Sequence, residues 1–413
     1  MATTLFQNIK GLVGVQTPQQ PLRGKDLAQL PVLDNAWVRV EDGYIESFGY
    51  MSEVDGKIKA DERVDGSGRY VIPCWCDSHT HLVFAESRES EFVDKIKGLS
   101  YADIAAKGGG ILNSAQKLAA LSEEELFQRS WNRLQQLTKM GTGSVEIKSG
   151  YGLTPESELK MLRVIRKLKE QSNVNIKASF LGAHALPPEY KNNREDYVQL
   201  IIEHMIPAVA AEKLADYIDV FCETGFFSVE EMSRIVQAGK DAGLIPKLHI
   251  NQLNSIGGLQ EAIRLNALSV DHLETMTQRD IGDLAGSSTI GTLLPSAAFF
   301  LRMGYQPARE LIEAGAAIAL ATDFNPGSSP SGNMPLVIAL ACIQMRMLLE
   351  EAIQAATING AFAMGLENIT GSISIGKRAD LQMTTVIPSL AYLPYAFGSQ
   401  LIDRVMIKGE WVQ

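Results

Sequence analysis

Cysteine is scarce in this sequence, with four among 413 residues. That is too few for a disulfide scaffold in so long a chain, and it fits a reducing, cytoplasmic setting. Excess positive charge is missing: 38 Lys and Arg against 48 Asp and Glu leave a net charge of −10, which excludes a general nucleic-acid binder. Long apolar runs are missing too. The longest candidate, residues 336–343, falls well short of the roughly 18 residues a membrane span needs, so neither nucleic acid nor membrane is expected as a partner. The opening Met-Ala-Thr-Thr-Leu-Phe-Gln-Asn-Ile-Lys has no charged start followed by an apolar core, and no signal peptide is expected. What is present is 46% hydrophobic and 21% charged residues with mean hydropathy near zero, the profile of a globular protein with a large core. The length accommodates two or three domains, or one α/β barrel with an appendage.

Residues 36–40 and 44–48 alternate apolar and polar and meet at Asp42-Gly43, a strong hairpin signal. The tail carries similar short β-rich pieces at 371–376, 379–383 and 404–408. Neither end buries a core alone, so the two are predicted to pair into one small β-sandwich domain from residues 1–68 and 366–413. Over 69–365, apolar runs at 70–76, 144–147, 176–181, 218–222, 247–250, 268–270, 289–294 and 317–321 alternate with stretches of helical periodicity. Ser122 with Glu125 and Ser228 with Glu231 fit capping boxes, and Thr154-Pro155 fits an N-cap followed by proline in the first turn. Eight strand–helix units predict an α/β fold of the (β/α)8 TIM-barrel type, in preference to a doubly wound open sheet.

Only six histidines occur, and five fall at strand ends. His79 and His81 follow the first apolar run, His184 the third, His249 ends the fifth and His272 follows the sixth; Asp323 follows the eighth. His204 alone lies inside a helical stretch. The C-terminal ends of barrel strands form one rim, so these residues are predicted to meet in space. His-x-His on extended backbone points both rings to one side. A third nitrogen from His249 and a carboxylate from Asp323 complete a set suited to Zn2+ or Fe2+/Fe3+, which acidifies water and polarises a carbonyl for hydrolysis of an amide-like bond. A single histidine at a strand end is more often structural; the recurrence at one phase of successive units favours the metal.

These residues resemble the amidohydrolase superfamily, through Asp-Ser-His-Thr-His at 77–81, Leu-Gly-Ala-His at 181–184, Lys-Leu-His at 247–249, Val-Asp-His at 270–272 and Ala-Thr-Asp at 321–323. More narrowly, the chain is similar to the imidazolonepropionase family almost end to end. The sharper matches are Lys-Ser-Gly-Tyr-Gly at 148–152 and Asp-Phe-Asn-Pro-Gly-Ser at 323–328. The resemblance implies hydrolysis of 4-imidazolone-5-propanoate to N-formimidoyl-L-glutamate in histidine degradation, and a homodimer. It implies one metal ion per chain on His79, His81, His249 and Asp323. It implies substrate contacts from Arg88, Tyr151, His184, Asn325, Gly327 and Ser328. Physical chemistry agrees with several of these. Arg88 offers a bidentate fork to the propionate, although Glu86, Glu89 and Glu91 make a surface ion pair the competing reading. Tyr151 adds a hydroxyl donor, His184 suits the ring carbonyl or developing oxyanion, and the 325–330 loop offers backbone donors where glycine permits close approach.

One departure stands out. The family commonly has glutamate three residues beyond the fifth-strand histidine, and this chain has Gln252, which orients by hydrogen bonding but exchanges no proton. Proton transfer then falls to Asp323 as base, with His272 beside it, or the enzyme opens or deaminates another small heterocycle. A metal-free scaffold role is disfavoured by the intact ligand set. Cys74 and Cys76 read as packing cysteines, Lys148 as a hydrogen-bonding lysine rather than a modified bridging ligand, and Met345 and Met347 as core. Glu223 is a supporting candidate on the same rim, and Gly108-Gly-Gly110 a mobile loop over the barrel mouth.

Overall fold

The computed structural model describes residues 3–54, 58–99 and 109–413. Two sheets organise them. The first takes Thr3–Val13, Val32–Glu41, Tyr44–Tyr50, Glu62–Asp65 and Tyr70–Pro73 from the beginning of the chain and Leu381–Thr384, Ile402–Ile407 and Glu410–Trp411 from its end. Leu381–Thr384 runs antiparallel to Tyr70–Pro73, which joins the two chain ends as the composition required. Phe6, Ile9, Leu12, Val38, Leu381 and Met406 share a separate small core. The hairpin at Asp42-Gly43 is present, both residues having positive φ (51° and 85°), the arrangement that matches the right-handed twist of its strands.

The second sheet is an eight-stranded parallel barrel: Trp75–Thr80, Thr142–Lys148, Asn175–Ala183, Tyr217–Cys222, Ile245–Ile250, Ser269–His272, Ile290–Leu293 and Ile318–Leu320. Each pairs in parallel with the next. Closure runs through the site-bearing segments themselves. The His81 N–H donates to the Phe324 carbonyl (2.9 Å), and the Asp323 N–H to the His79 carbonyl (3.0 Å). Asp77 adds a side-chain link, accepting from the Thr322 N–H (2.9 Å) and hydroxyl (2.6 Å). The helices start where the caps require: Ser122 and Ser228 close capping boxes with Glu125 and Glu231, and Thr154 caps Pro155–Gln171.

Two sequence expectations change. The run 70–76 is divided: Tyr70–Pro73 belongs to the small sheet, and the first barrel strand starts at Trp75. The piece 371–376 forms no strand, only a single bridge between Val15 and Ile373. Gly108 of the expected glycine loop lies outside the described residues. The buried Asn359 ties the N-terminal segment to the last barrel strand. It accepts from the Leu22 N–H (2.9 Å) and donates to the carbonyls of Leu22 (2.9 Å) and Ile318 (2.8 Å). Asn359→Ala leaves buried backbone groups unpaired, at a cost of about 1–3 kcal/mol. The expected result in a thermal scan is a lower midpoint with unchanged metal content.

Candidate metal centre

Every candidate ligand sits on or just beyond the C-terminal end of a barrel strand, where alternation turns side chains inward in layers. His79 and His81 come from the first strand and its exit, His249 from the fifth, His272 from the sixth and Asp323 from the segment after the eighth. Nε2 of His81 lies 3.3 Å from Nε2 of His249 and 3.6 Å from Oδ1 of Asp323, and Nε2 of His79 lies 3.4 Å from that same Oδ1. Ligating atoms of His79, His81 and His249 lie within 4.8 Å of one another, as do those of His79, His272 and Asp323. His79 Nε2 is buried without a hydrogen-bond partner among the described residues. An orphaned nitrogen facing a carboxylate, with two further imidazole nitrogens crowded beside it, is what a bound cation satisfies, so the donor set fits a divalent metal.

The proton arrangement of two histidines is fixed from below. His79 Nδ1 lies 2.7 Å from Oδ2 of Asp271, and His249 Nδ1 lies 2.9 Å from Oδ2 of Asp219. A carboxylate has no hydrogen to give, so both rings donate through Nδ1 and turn a bare Nε2 toward the centre. Lys148 touches those same two oxygens, at 2.8 Å from Asp219 and 3.2 Å from Asp271, and donates to Glu146 at 2.7 Å. Lys247 reaches the other Glu146 oxygen at 2.8 Å. All five groups are inaccessible to solvent. Burial alone destabilises the Lys148 ammonium, yet Asp219, Glu146 and Asp271 outweigh it and raise its pKa well above the ordinary value. Burial, reinforced by the Lys148 charge, holds His79 and His249 well below the usual imidazole range, and burial with the neighbouring histidines does so for His81. Neutral imidazole is the ligating form. Lys148 is thus a hydrogen-bonding lysine, with its Nζ occupied by carboxylates.

Above the candidate ligands opens a cavity of roughly 470 Å3, of ordinary size for a small-molecule site. Arg88, Tyr151, His184, Gln252, His272, Asn325, Gly327 and Ser328 all line it, so the structure brings the whole candidate set together. Arg88 is mostly buried. Its Nε donates to Ser114 Oγ at 2.9 Å, its closest carboxylate contact is Glu91 at 4.0 Å, and its Nη2 is buried and unpartnered among the described residues. A side chain at 327 would place Cβ 2.4 Å from Arg88 Nη1, so glycine there is a condition of that pose. The 325–328 loop differs from expectation: the N–H groups of Gly327 and Ser328 both donate to Asn325 Oδ1 at 2.8 Å, so they brace the loop itself. Ser328 Oγ donates to Asp323 Oδ2 at 3.1 Å.

Burial pushes Asp323 up to about 6, restrained by His272 and by its hydrogen bonds. Burial opposes charge on His272, but Glu274, 3.3 Å from its Nδ1, outweighs that with help from Asp323 and Asp271 and raises its pKa. Glu223 accepts the Leu253 N–H at 2.8 Å and so braces the backbone next to Gln252. Backbone strain gathers on this rim: Asn251, His272, Leu273 and Asp323 have φ of 57°, 92°, 66° and 52°. Such conformations cost about 1–3 kcal/mol each and cluster at functional sites. Sequence reasoning missed Glu146, Asp219, Lys247, Asp271 and Glu274 as supports; the available signal was charge inside otherwise apolar strands, two residues apart in Glu146/Lys148 and Lys247/His249.

Residues 119–412 match the amidohydrolase family. The chain is 56% identical over 408 residues to an imidazolonepropionase of Flavobacterium johnsoniae, covering 98% of this chain and 99% of that one. It is 52% identical over 411 residues to an imidazolonepropionase of Christiangramia forsetii (99% and 100% covered) and 44% identical over 391 residues to one of Clostridium tetani (94% and 93%). Among solved structures, guanine deaminase of E. coli superimposes with TM-score 0.76 at 14% identity (100% of this chain and 99% of that one). A zinc-bound adenosine deaminase of Xanthomonas campestris does so with 0.70 at 16% identity (99% and 92%). At those identities the structures speak for the fold. Two substitutions test the centre. After dialysis against chelator, His249→Ala is expected to retain almost no metal. Asp271→Asn, which removes only the charge behind His79, is expected to weaken affinity roughly 10- to 100-fold in chelator competition.

Proposed function

This chain belongs to the imidazolonepropionase family of amidohydrolases, and from that premise we propose that it hydrolyses 4-imidazolone-5-propanoate to N-formimidoyl-L-glutamate in histidine degradation. The observation that carries this reading is the buried Arg88 Nη2, unpartnered among the described residues, in the wall of the cavity that also holds the histidine–aspartate centre. A substrate with a carboxylate arm and a hydrolysable ring amide is complementary to both ends.

His79, His81, His249 and Asp323 would hold the metal, zinc or iron, which when bound polarises the ring carbonyl and acidifies the attacking water. Arg88 binds the propionate as a two-pronged charged donor, which fixes the ring's direction in the cavity. Tyr151 borders both Arg88 and His184, with its ring centroid 5.8 Å from the guanidinium and 5.5 Å from the imidazole. Asp323 accepts the proton of the attacking water and returns it to the ring nitrogen as the carbonyl C–N bond breaks. His272 lies beside it as electrostatic partner. Gln252 orients water or substrate by hydrogen bonding. We further propose a cytoplasmic homodimer. The four free cysteines support a reducing compartment, and among the described residues no helix is long and apolar enough to cross a membrane.

The deciding assay mixes metal-quantified protein with fresh 4-imidazolone-5-propanoate and follows loss of its ultraviolet absorbance. Turnover by stoichiometrically loaded protein is the expected result; none would overturn the assignment. Arg88→Met removes one partner of a buried charge pair, worth about 2–5 kcal/mol, so kcat/KM should fall at least roughly 30-fold with metal content intact. Asp323→Asn should lose turnover by more than roughly 100-fold. Retention of both metal and near-normal turnover would remove Asp323 from the role of base.

A further inference from the structure

The loop that carries Tyr151 into the cavity rests on a carboxylate that neither lines the cavity nor belongs to the candidate ligands. Glu158 lies in the first turns of the helix Pro155–Gln171 and is 1% exposed. Its Oε1 accepts the backbone N–H of Gly152 (2.7 Å), Leu153 (3.0 Å) and Gly150 (3.2 Å), and Oε2 also accepts from Gly150 (3.1 Å). Three amides of one tight loop, from Gly150, Gly152 and Leu153, converge on this carboxylate as in an anion-binding nest, here filled by a side chain of the same protein. The wrapping is tight: Gly150 and Leu153 have φ of 107° and 59°, and a Cβ on Gly152 would sit 2.4 Å from the Glu158 nitrogen. Tyr197, fully buried, clamps the same loop to the third barrel strand through its hydroxyl, which lies 3.2 Å from the Leu153 carbonyl and 2.9 Å from that of Gly182.

We propose that Glu158 is the positioning residue of this loop and that, through the Gly150 carbonyl, it holds His184 in the tautomer whose Nε2 accepts a hydrogen bond from a ring N–H of the substrate. The link is direct. His184 Nδ1 lies 2.9 Å from Gly150 O, and a carbonyl only accepts, so Nδ1 carries the hydrogen and the neutral ring presents a lone pair at Nε2. His184 then reads an N–H and repels a carbonyl oxygen, so the oxyanion role expected from the sequence does not suit it. A heterocycle with a bare nitrogen or N-methyl at that position loses the contact and meets an unpaired lone pair, a basis for rejecting analogues. The inference deepens the proposed function and rests on the reading of Tyr151 and His184 as substrate contacts.

The test uses full-length, metal-loaded protein. In 15N spectra of histidine-labelled wild type without substrate, His184 is expected as the Nδ1–H tautomer, and Glu158→Gln is expected to mix the two tautomers. In steady-state assays with 4-imidazolone-5-propanoate, Glu158→Gln is expected to lower kcat/KM roughly 10- to 100-fold while metal stays at wild-type stoichiometry. In a His184→Asn background the same substitution is expected to change kcat/KM by less than about 3-fold, because the group it acts through is gone. An additive effect in the two backgrounds, or an unchanged tautomer in Glu158→Gln, would overturn the inference. Should Glu158→Gln fail to fold, Tyr197→Phe takes its place in the cycle, with a smaller loss expected and additivity again counting against the idea. Absence of wild-type turnover is a different failure, that of the substrate assignment, and leaves the tautomer readout to decide this one.

Discussion

Charge buried inside a closed barrel must be paired, and that requirement shapes the centre of this protein. Glu146, Asp219 and Asp271 lie at zero side-chain exposure, and among the described residues Lys148 and Lys247 are the ammonium groups that pair with them. Adding Asp323 leaves two negative charges uncompensated among these groups, and a divalent cation on the histidines restores balance. An uncompensated buried charge is far more costly than a balanced cluster, so the apparatus beneath the histidines is built for a cation above them. Lys148 matters beyond its charge. It contacts the same Oδ2 atoms of Asp219 and Asp271 that receive the imidazole hydrogens, so one ammonium sets the protonation and direction of two rings.

The layers above follow from that base. Strand alternation makes the charged layer and the ligand layer successive inward-facing tiers: Glu146 and Lys148 on the second strand, Lys247 and His249 on the fifth, Ser269 and Asp271 on the sixth. At the rim the chain leaves regular geometry, and strained residues Asn251, His272 and Asp323 turn their side chains at the point where the strands end. The hydrogen bonds closing the barrel, from His81 to Phe324 and from Asp323 to His79, couple the segments that carry the first and last candidate ligands. Barrel closure and site geometry therefore depend on the same hydrogen bonds.

Much of this was legible in the residues. Asp42-Gly43 announced its hairpin, Ser122/Glu125 and Ser228/Glu231 their helix starts, and the strand-end histidines their convergence, because each signal is local or repeats with the period of the fold. Other features were not local. An apolar run such as 70–76 does not say which sheet receives it; only pairing with a strand more than three hundred residues later assigns Tyr70–Pro73 to the small sheet. The Lys148–Asp219 and Lys148–Asp271 pairs likewise join strands far apart in sequence, and a single chain carries no trace of which lysine meets which carboxylate. His184 was found by position, yet its hydrogen-bonding sense depended on the Gly150 carbonyl, which no side-chain pattern reveals.

Gln252 gathers these threads. Glutamine donates and accepts but does not titrate, so its presence on the fifth-strand loop removes one carboxylate from the proton economy of the cavity. His184 gives its Nδ1 hydrogen to the Gly150 carbonyl and in the inference above commits its Nε2 to a substrate N–H, and Tyr151 is a phenol, so the proposed reaction assigns the base to neither. Arg88 never releases a proton. Among the described cavity-lining groups nearest the candidate ligands, that leaves Asp323 and His272, both at strained strand ends that hold them in place. In the proposed reaction Asp323 takes the proton and His272 stands beside it as electrostatic partner. The chemistry a glutamate would share is then concentrated on the aspartate that would also complete the ligand set, and Gln252 orients.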